Sequence, residues 1–213
     1  MTRKLNSFWL LIPVFGTLLF VVLYIIATLY YPGGSQADKN SIGFDWANNY
    51  WCTLLNDNAI NGQRNGAKPI AMAGMFILCA TLTFFWIRIP KFLAPGKLIR
   101  LSTQISGTLA MFVAFFLFTT IDHDLITNIA SFFGLIAIAG TLAGLYKNKW
   151  YGLLALGLVN LIFVGLNNYA YRTEGMLMYL PVVQKISFAC FLIWICAIDI
   201  HLYRNYPLTS DFQ

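Results

Sequence analysis

Six long apolar stretches dominate the chain, at 8–30, 69–87, 101–118, 125–145, 150–166 and 180–202. Each holds 17–23 residues in a continuous run, without the two-residue alternation of a membrane β-barrel strand. A helix of roughly 20 residues crosses the ~30 Å of bilayer hydrocarbon. The pattern therefore predicts an all-α fold: an integral membrane bundle of six transmembrane helices. The chain 1–213 forms a single membrane domain, with a long outer loop, 31–68, between helices one and two. That loop is too short for a domain of its own, for which about 50 residues is the lower bound. The first stretch follows Arg3 and Lys4, as a signal peptide would. It is longer than a signal core, however, and Ile26-Ala27-Thr28-Leu29-Tyr30-Tyr31 offers no small-x-small cleavage site, so it reads as a retained span.

Composition narrows the class further. The chain is 59% hydrophobic and 10% charged, with a mean hydropathy of +0.68, where soluble domains carry about 25% charge. This excludes a disordered chain and a soluble enzyme. The net charge of +6 is dispersed beside apolar runs, which argues for membrane orientation and against nucleic acid as a partner. With the N-terminus inside, Arg3, Lys4, Arg88, Lys91, Lys97, Arg100, Lys147, Lys149 and Arg204 lie on the inner side. Only Lys39, Arg64, Lys68 and Arg172 lie outside. The expected location is the cell inner membrane, multi-pass, with both termini cytoplasmic.

The candidate chemistry gathers on the outer side. In the first loop, Ala47, Tyr50, Trp51, Leu54 and Leu55 recur at helical spacing, opposite Asp45, Asn48, Asn49 and Thr53. This predicts a short surface helix over 45–55, capped by Asp45, with its aromatics at headgroup depth. Asp122-His123-Asp124 forms a very short acidic turn before the fourth span. One acid there caps a helix. The set could also relay a proton or, together with Asp45, hold a hard cation. A three-His zinc site is excluded, because His201 lies at the opposite end of the last span. No metal or other cofactor is expected, and the four cysteines show no redox or haem spacing.

Polar residues inside spans are costly in lipid and point to function. Lys185 lies four residues past Pro181 and shares a helix face with Leu192, Cys196 and Asp199. The ammonium is expected to find a carboxylate from Asp45, Asp122 or Asp124. Asn160 and Asn167 share a face of the fifth span and suit interhelical hydrogen bonds. Gly140 and Gly144 form a small-xxx-small pair through which an oligomer is possible.

Taken together, Asp45, Asp122, His123, Asp124, Asn167, Gln184 and Lys185 form the candidate polar wall of an outward-facing site, covered by Trp46, Tyr50 and Trp51. The expected ligand is a membrane lipid or other amphiphile. The alternatives are a lipid-modifying membrane enzyme using Asp and His, with catalytic residues unknown, and a small-solute or proton-coupled carrier using Lys185 and Asp199. Six spans, the loop opening Tyr31-Pro32-Gly33-Gly34, the acidic-His turn and Gln184-Lys185 together resemble a bacterial six-span membrane family related to the damage-regulated autophagy modulator proteins. Gly43-Phe44-Asp45-Trp46 stands where that group's Ser-Asp-Leu-Gly is expected. The resemblance implies a lipid-related role and carries over no catalytic residue.

Overall fold

The computed structural model describes residues 8–93, 95–118 and 123–205, with the side chains of Phe118 and His123 outside the description. Six long helices make up the fold: α1 (Ile12–Leu29), α2 (Lys68–Arg88), α3 (Lys97–Ala114), α4 (His123–Lys147), α5 (Tyr151–Arg172) and α6 (Leu180–Asn205). Short 3-10 turns prolong three of them, at Phe8–Leu11, Phe115–Phe118 and Leu177–Tyr179, and the single helical turn Pro90–Leu93 follows α2. Among the described residues there is no strand; only the isolated bridges Gly33↔Ile42 and Asn58↔Arg64 pair backbone in the loop. All six helical segments, from Phe8–Leu29 to Leu177–Asn205, are long and apolar enough to cross a membrane. The fifth continues to Arg172, beyond the expected end at Leu166, because Asn167 and Asn168 bond back to helix carbonyls and do not break the turn.

The helix ends follow from local chemistry. Pro13 and Pro69 occupy first-turn positions, where a missing N–H costs nothing. Tyr31-Pro32-Gly33-Gly34 stops α1, and Gly34 at φ 83° takes a left-handed turn with Asn61 N only 2.4 Å from where a Cβ would sit. α4 ends in a tight reversal: Trp150 N–H donates to Leu145 O and Lys149 N–H to Tyr146 O, both at 3.0 Å. This is the Schellman pattern, with Lys149 at φ 60° in the place usually held by glycine.

Each helix packs on its chain neighbours, and α6 returns to α1. Trp86, Trp194, Phe20, Phe85, Ile195, Ile198 and Leu202 are fully buried between them. The Trp194 indole N–H donates to Leu153 O at 2.9 Å, which ties α6 to α5. The outward surface is apolar as well. Phe112, Phe132 and Ile162 are each 62% exposed. Small residues allow the closest helix contacts. A Cβ on Gly140 would fall 1.9 Å from the Thr103 hydroxyl of α3, and one on Gly144 would fall 2.8 Å from Leu93 O. The Gly140 and Gly144 face thus serves packing within the chain.

Candidate functional site at the loop end

The loop 31–67 lies against the turn Leu177–Tyr179 that precedes α6: the Gln36 amide donates to Leu177 O at 3.2 Å. Two buried asparagines organise the loop. Asn49 is fully buried; its amide donates to Gly34 O at 2.8 Å and accepts from Asp45 N–H at 2.9 Å. Asn65 donates to Thr53 O, Leu54 O and Asn56 O at 2.9–3.2 Å and accepts from Ala67 N–H at 3.0 Å, at the start of α2. Each is a local tie that replaces regular secondary structure.

The continuous helix expected over 45–55 does not form. A turn at 46–48 is followed by extended Tyr50 and the 3-10 turn Trp51–Leu55. Asp45 does cap the turn: its carboxylate accepts from Ala47 N–H at 2.9 Å, Asn48 N–H at 3.2 Å and the Asn48 side-chain amide at 2.8 Å. The turn stops there because Asn49 is tied to Gly34 O and Tyr50 is extended, at φ −76° and ψ 152°. The face expected to meet water is turned inward as well, since Asn49 and Thr53 are buried. Trp51, expected at headgroup depth, instead packs against Tyr24, Phe188 and Phe20, with ring centroids 5.4, 5.7 and 6.1 Å apart. It plugs the loop end of the α1–α6 seam. Trp46 remains half exposed and packs edge to face on Phe44.

Lys185 holds the loop down. Its ammonium donates to Asn49 O at 2.6 Å and to Pro181 O at 2.8 Å. Among the described residues no carboxylate lies within ion-pair distance of it; the one such pair joins Lys68 to Asp57 at 2.6 Å. Among the described residues backbone carbonyls stand where the Asp45 or Asp124 carboxylate was expected; Asp122, the third candidate, lies outside them. Asp45 acts on Lys185 only through its field. The Asn48 amide, two backbone N–H groups and that cation together hold the Asp45 carboxyl below the usual range. Burial pushes the Cys52 thiol up to about 11. Tyr50 is raised too, first by burial and then by Cys52 and Tyr171.

The remaining candidates are divided between two further places. Asp124 accepts from the Tyr171 hydroxyl at 2.9 Å, joining α4 to α5. Asn167 donates to the Ser187 hydroxyl, joining α5 to α6. Gln184 has a buried side-chain oxygen that finds no partner among the described residues. Asp122 and the side chain of His123 lie outside the described residues. Among the described residues no three His, Cys, Asp or Glu side chains converge as metal ligands. Asp45, Asn49, Lys185 and Trp51 are thus brought together as a latch, while Asp124 and Asn167 tie neighbouring helices.

No protein-family model, curated protein or solved structure matches this chain.

Sequence reading overlooked a cleft between α2 and α3. It has a volume of about 220 Å³ and is lined by Phe76, Cys79, Ala80, Thr83, Thr108, Met111, Phe112 and Phe115. Phe76 and Phe115 meet edge to face at 6.1 Å. Counted along α2 from Lys68, these positions lie about 12–22 Å from the loop end at 1.5 Å per residue. The signal that could have found it is the run of small residues Cys79-Ala80 facing Thr108, flanked by aromatics on both helices.

Proposed function

We propose that this is a six-span membrane protein, with both termini inside, that binds a lipid or similar amphiphile entering from the outer leaflet. The observation that carries the reading is the α2–α3 cleft. Its lining is almost wholly apolar, and it opens sideways onto a surface that is itself apolar. A soluble monomer rarely leaves so continuous an apolar surface in water. The cleft is smaller than the ~300–1,000 Å³ of drug-sized ligand sites, a size suited to a segment of one acyl chain. Lipid tails are as apolar as the lining, so there is no hydrophobic gain in leaving the bilayer. Selectivity then comes from close packing on Phe76, Met111 and Phe112, and from headgroup contacts with the polar loop end. The inner excess of Lys and Arg supports the orientation. The resemblance to the autophagy-modulator group supports a lipid-related role.

Native mass spectrometry of the detergent-purified protein tests the binding. The wild type should retain lipid, and Ala80→Phe, which fills the cleft, should lose at least tenfold of it while keeping its fold. Equal lipid retention by both proteins would refute the cleft as the site. Impermeant thiol labelling of Lys39→Cys in intact cells tests the orientation; labelling of Lys97→Cys in its place would reverse it.

A further inference from the structure

Asp199 is fully buried in α6, and among the described residues neither of its carboxylate oxygens has a hydrogen-bond partner. Its position fixes what it faces. Phe188 touches Phe20 of α1, with centroids 5.6 Å apart. Asp199 comes eleven residues later, and eleven steps of 100° return to within ~20° of the same direction. Asp199 thus points into the α1–α6 seam, far from the loop end plugged by Trp51. Cys196, one turn away, lies beside the Thr17 hydroxyl of α1 and within the electrostatic reach of Asp199. Thr17 is itself buried, and among the described residues the weakly bonding Cys196 thiol is what its oxygen meets. The unsatisfied Asp199 carboxyl and this poorly satisfied hydroxyl flank one short stretch of the seam.

Among the described residues no cation lies within ion-pair distance of Asp199. The charged and titratable groups near it in the fold include Arg88, whose guanidinium stands 5.5 Å over the Trp9 ring of the turn packed on α6, and Tyr203 and Arg204 further along α6. The turn Phe8–Leu11 has no ionisable side chain, and on α1 only Tyr24 is ionisable, seven residues beyond Thr17. α5 carries its ionisable groups, Tyr151, Tyr169, Tyr171 and Arg172, at its two ends. On α6 itself His201 stacks on Trp150 at 4.2 Å. A bare carboxylate in such a place is costly, and the group avoids the cost by holding a proton. We propose that Asp199 is an intramembrane proton-binding site, kept as the neutral acid while the α1–α6 seam is closed. Loss of the proton to water leaves a carboxylate that the closed seam cannot solvate, so deprotonation and opening of the seam are coupled. The ligand is the proton, and this site is independent of the lipid cleft.

Infrared spectroscopy of the whole protein in detergent at neutral pH, with ¹³C-aspartate labelling, tests this directly. Asp38, Asp45 and Asp57 are in the loop, so a protonated carbonyl band that shifts with the label and persists into mildly alkaline buffer should come from Asp199. It should vanish in Asp199→Asn, which mimics the neutral acid. Absence of the band in wild type, or its survival in the variant, would overturn the proposal. So would a band that appears only after sodium is removed, since that would mean an ionised Asp199 holding a cation. If the variant fails to fold, the labelled wild-type spectrum alone decides between acid and carboxylate.

Discussion

Replacing Lys185 by Met removes the latch between α6 and the loop. Two charge-assisted hydrogen bonds go, at 2.6 and 2.8 Å. Bonds of this kind contribute about 1.5–3 kcal/mol each, and an orphaned buried acceptor costs about 1–3 kcal/mol. The two acceptors are not equivalent. Pro181 O lies in the first turn of α6 and keeps its helical partner, whereas Asn49 O belongs to a fully buried residue and loses its donor. Lys185 is itself partly exposed, which places the loss at the lower end, about 2–4 kcal/mol. For a chain of this length each kcal/mol lowers Tm by about 2–4 °C, so Lys185→Met should melt roughly 4–16 °C below wild type in detergent. Hydrogen exchange should rise across 31–67 and stay unchanged in α3 and α4. Because the Lys185 bonds go to backbone carbonyls and not to a carboxylate, adding Asp45→Asn should not restore the stability that Lys185→Met removes. A Tm within 2 °C of wild type, or rescue by the double variant, would refute the latch.

Three further outcomes follow from the loop and turn geometry. Asn65→Ala removes the donor to three carbonyls and should destabilise by about 2–3 kcal/mol, with faster proteolysis of the loop as the readout. Lys149→Gly relieves a left-handed backbone and should raise stability by about 1 kcal/mol in thermal unfolding. The Cys52 thiol holds its proton more tightly in the folded protein, at about 11 against an ordinary 9.0. Its contribution to stability is thus full below pH 9 and is lost as the pH rises toward 11. Cys52→Ser should flatten that alkaline loss, measured as Tm against pH.

The bundle was legible because 3.6-residue helices need continuous apolar length to cross lipid, and the chain supplies it six times. The loop was legible only in part. Periodicity marked Leu54 and Leu55, which are buried, and Trp51, which packs on Tyr24, but Ala47 is exposed, and the pattern could not register that Asn49 would be drawn inward to Gly34 O. Asn49 and Asn65 read as ordinary loop residues, because an asparagine's role depends on which distant carbonyls the fold brings near. Lys185 was singled out correctly as needing a partner. The partners seen among the described residues are backbone carbonyls, which carry no mark in a sequence; Asp122, one of the three carboxylates expected, lies outside them. The α2–α3 cleft is a gap left between side chains of two helices, and hydrophobic pattern alone records what is present and not how closely it fits.

Photocrosslinking with a phospholipid carrying a diazirine on its acyl chain tests the central claim most directly. The adducts, mapped by mass spectrometry on the protein in bilayers, should concentrate at Phe76, Ala80, Met111 and Phe112, and Ala80→Phe should disperse them. Adducts spread evenly over the exposed apolar faces of α4 and α5, unchanged by Ala80→Phe, would contradict a lipid site in the cleft.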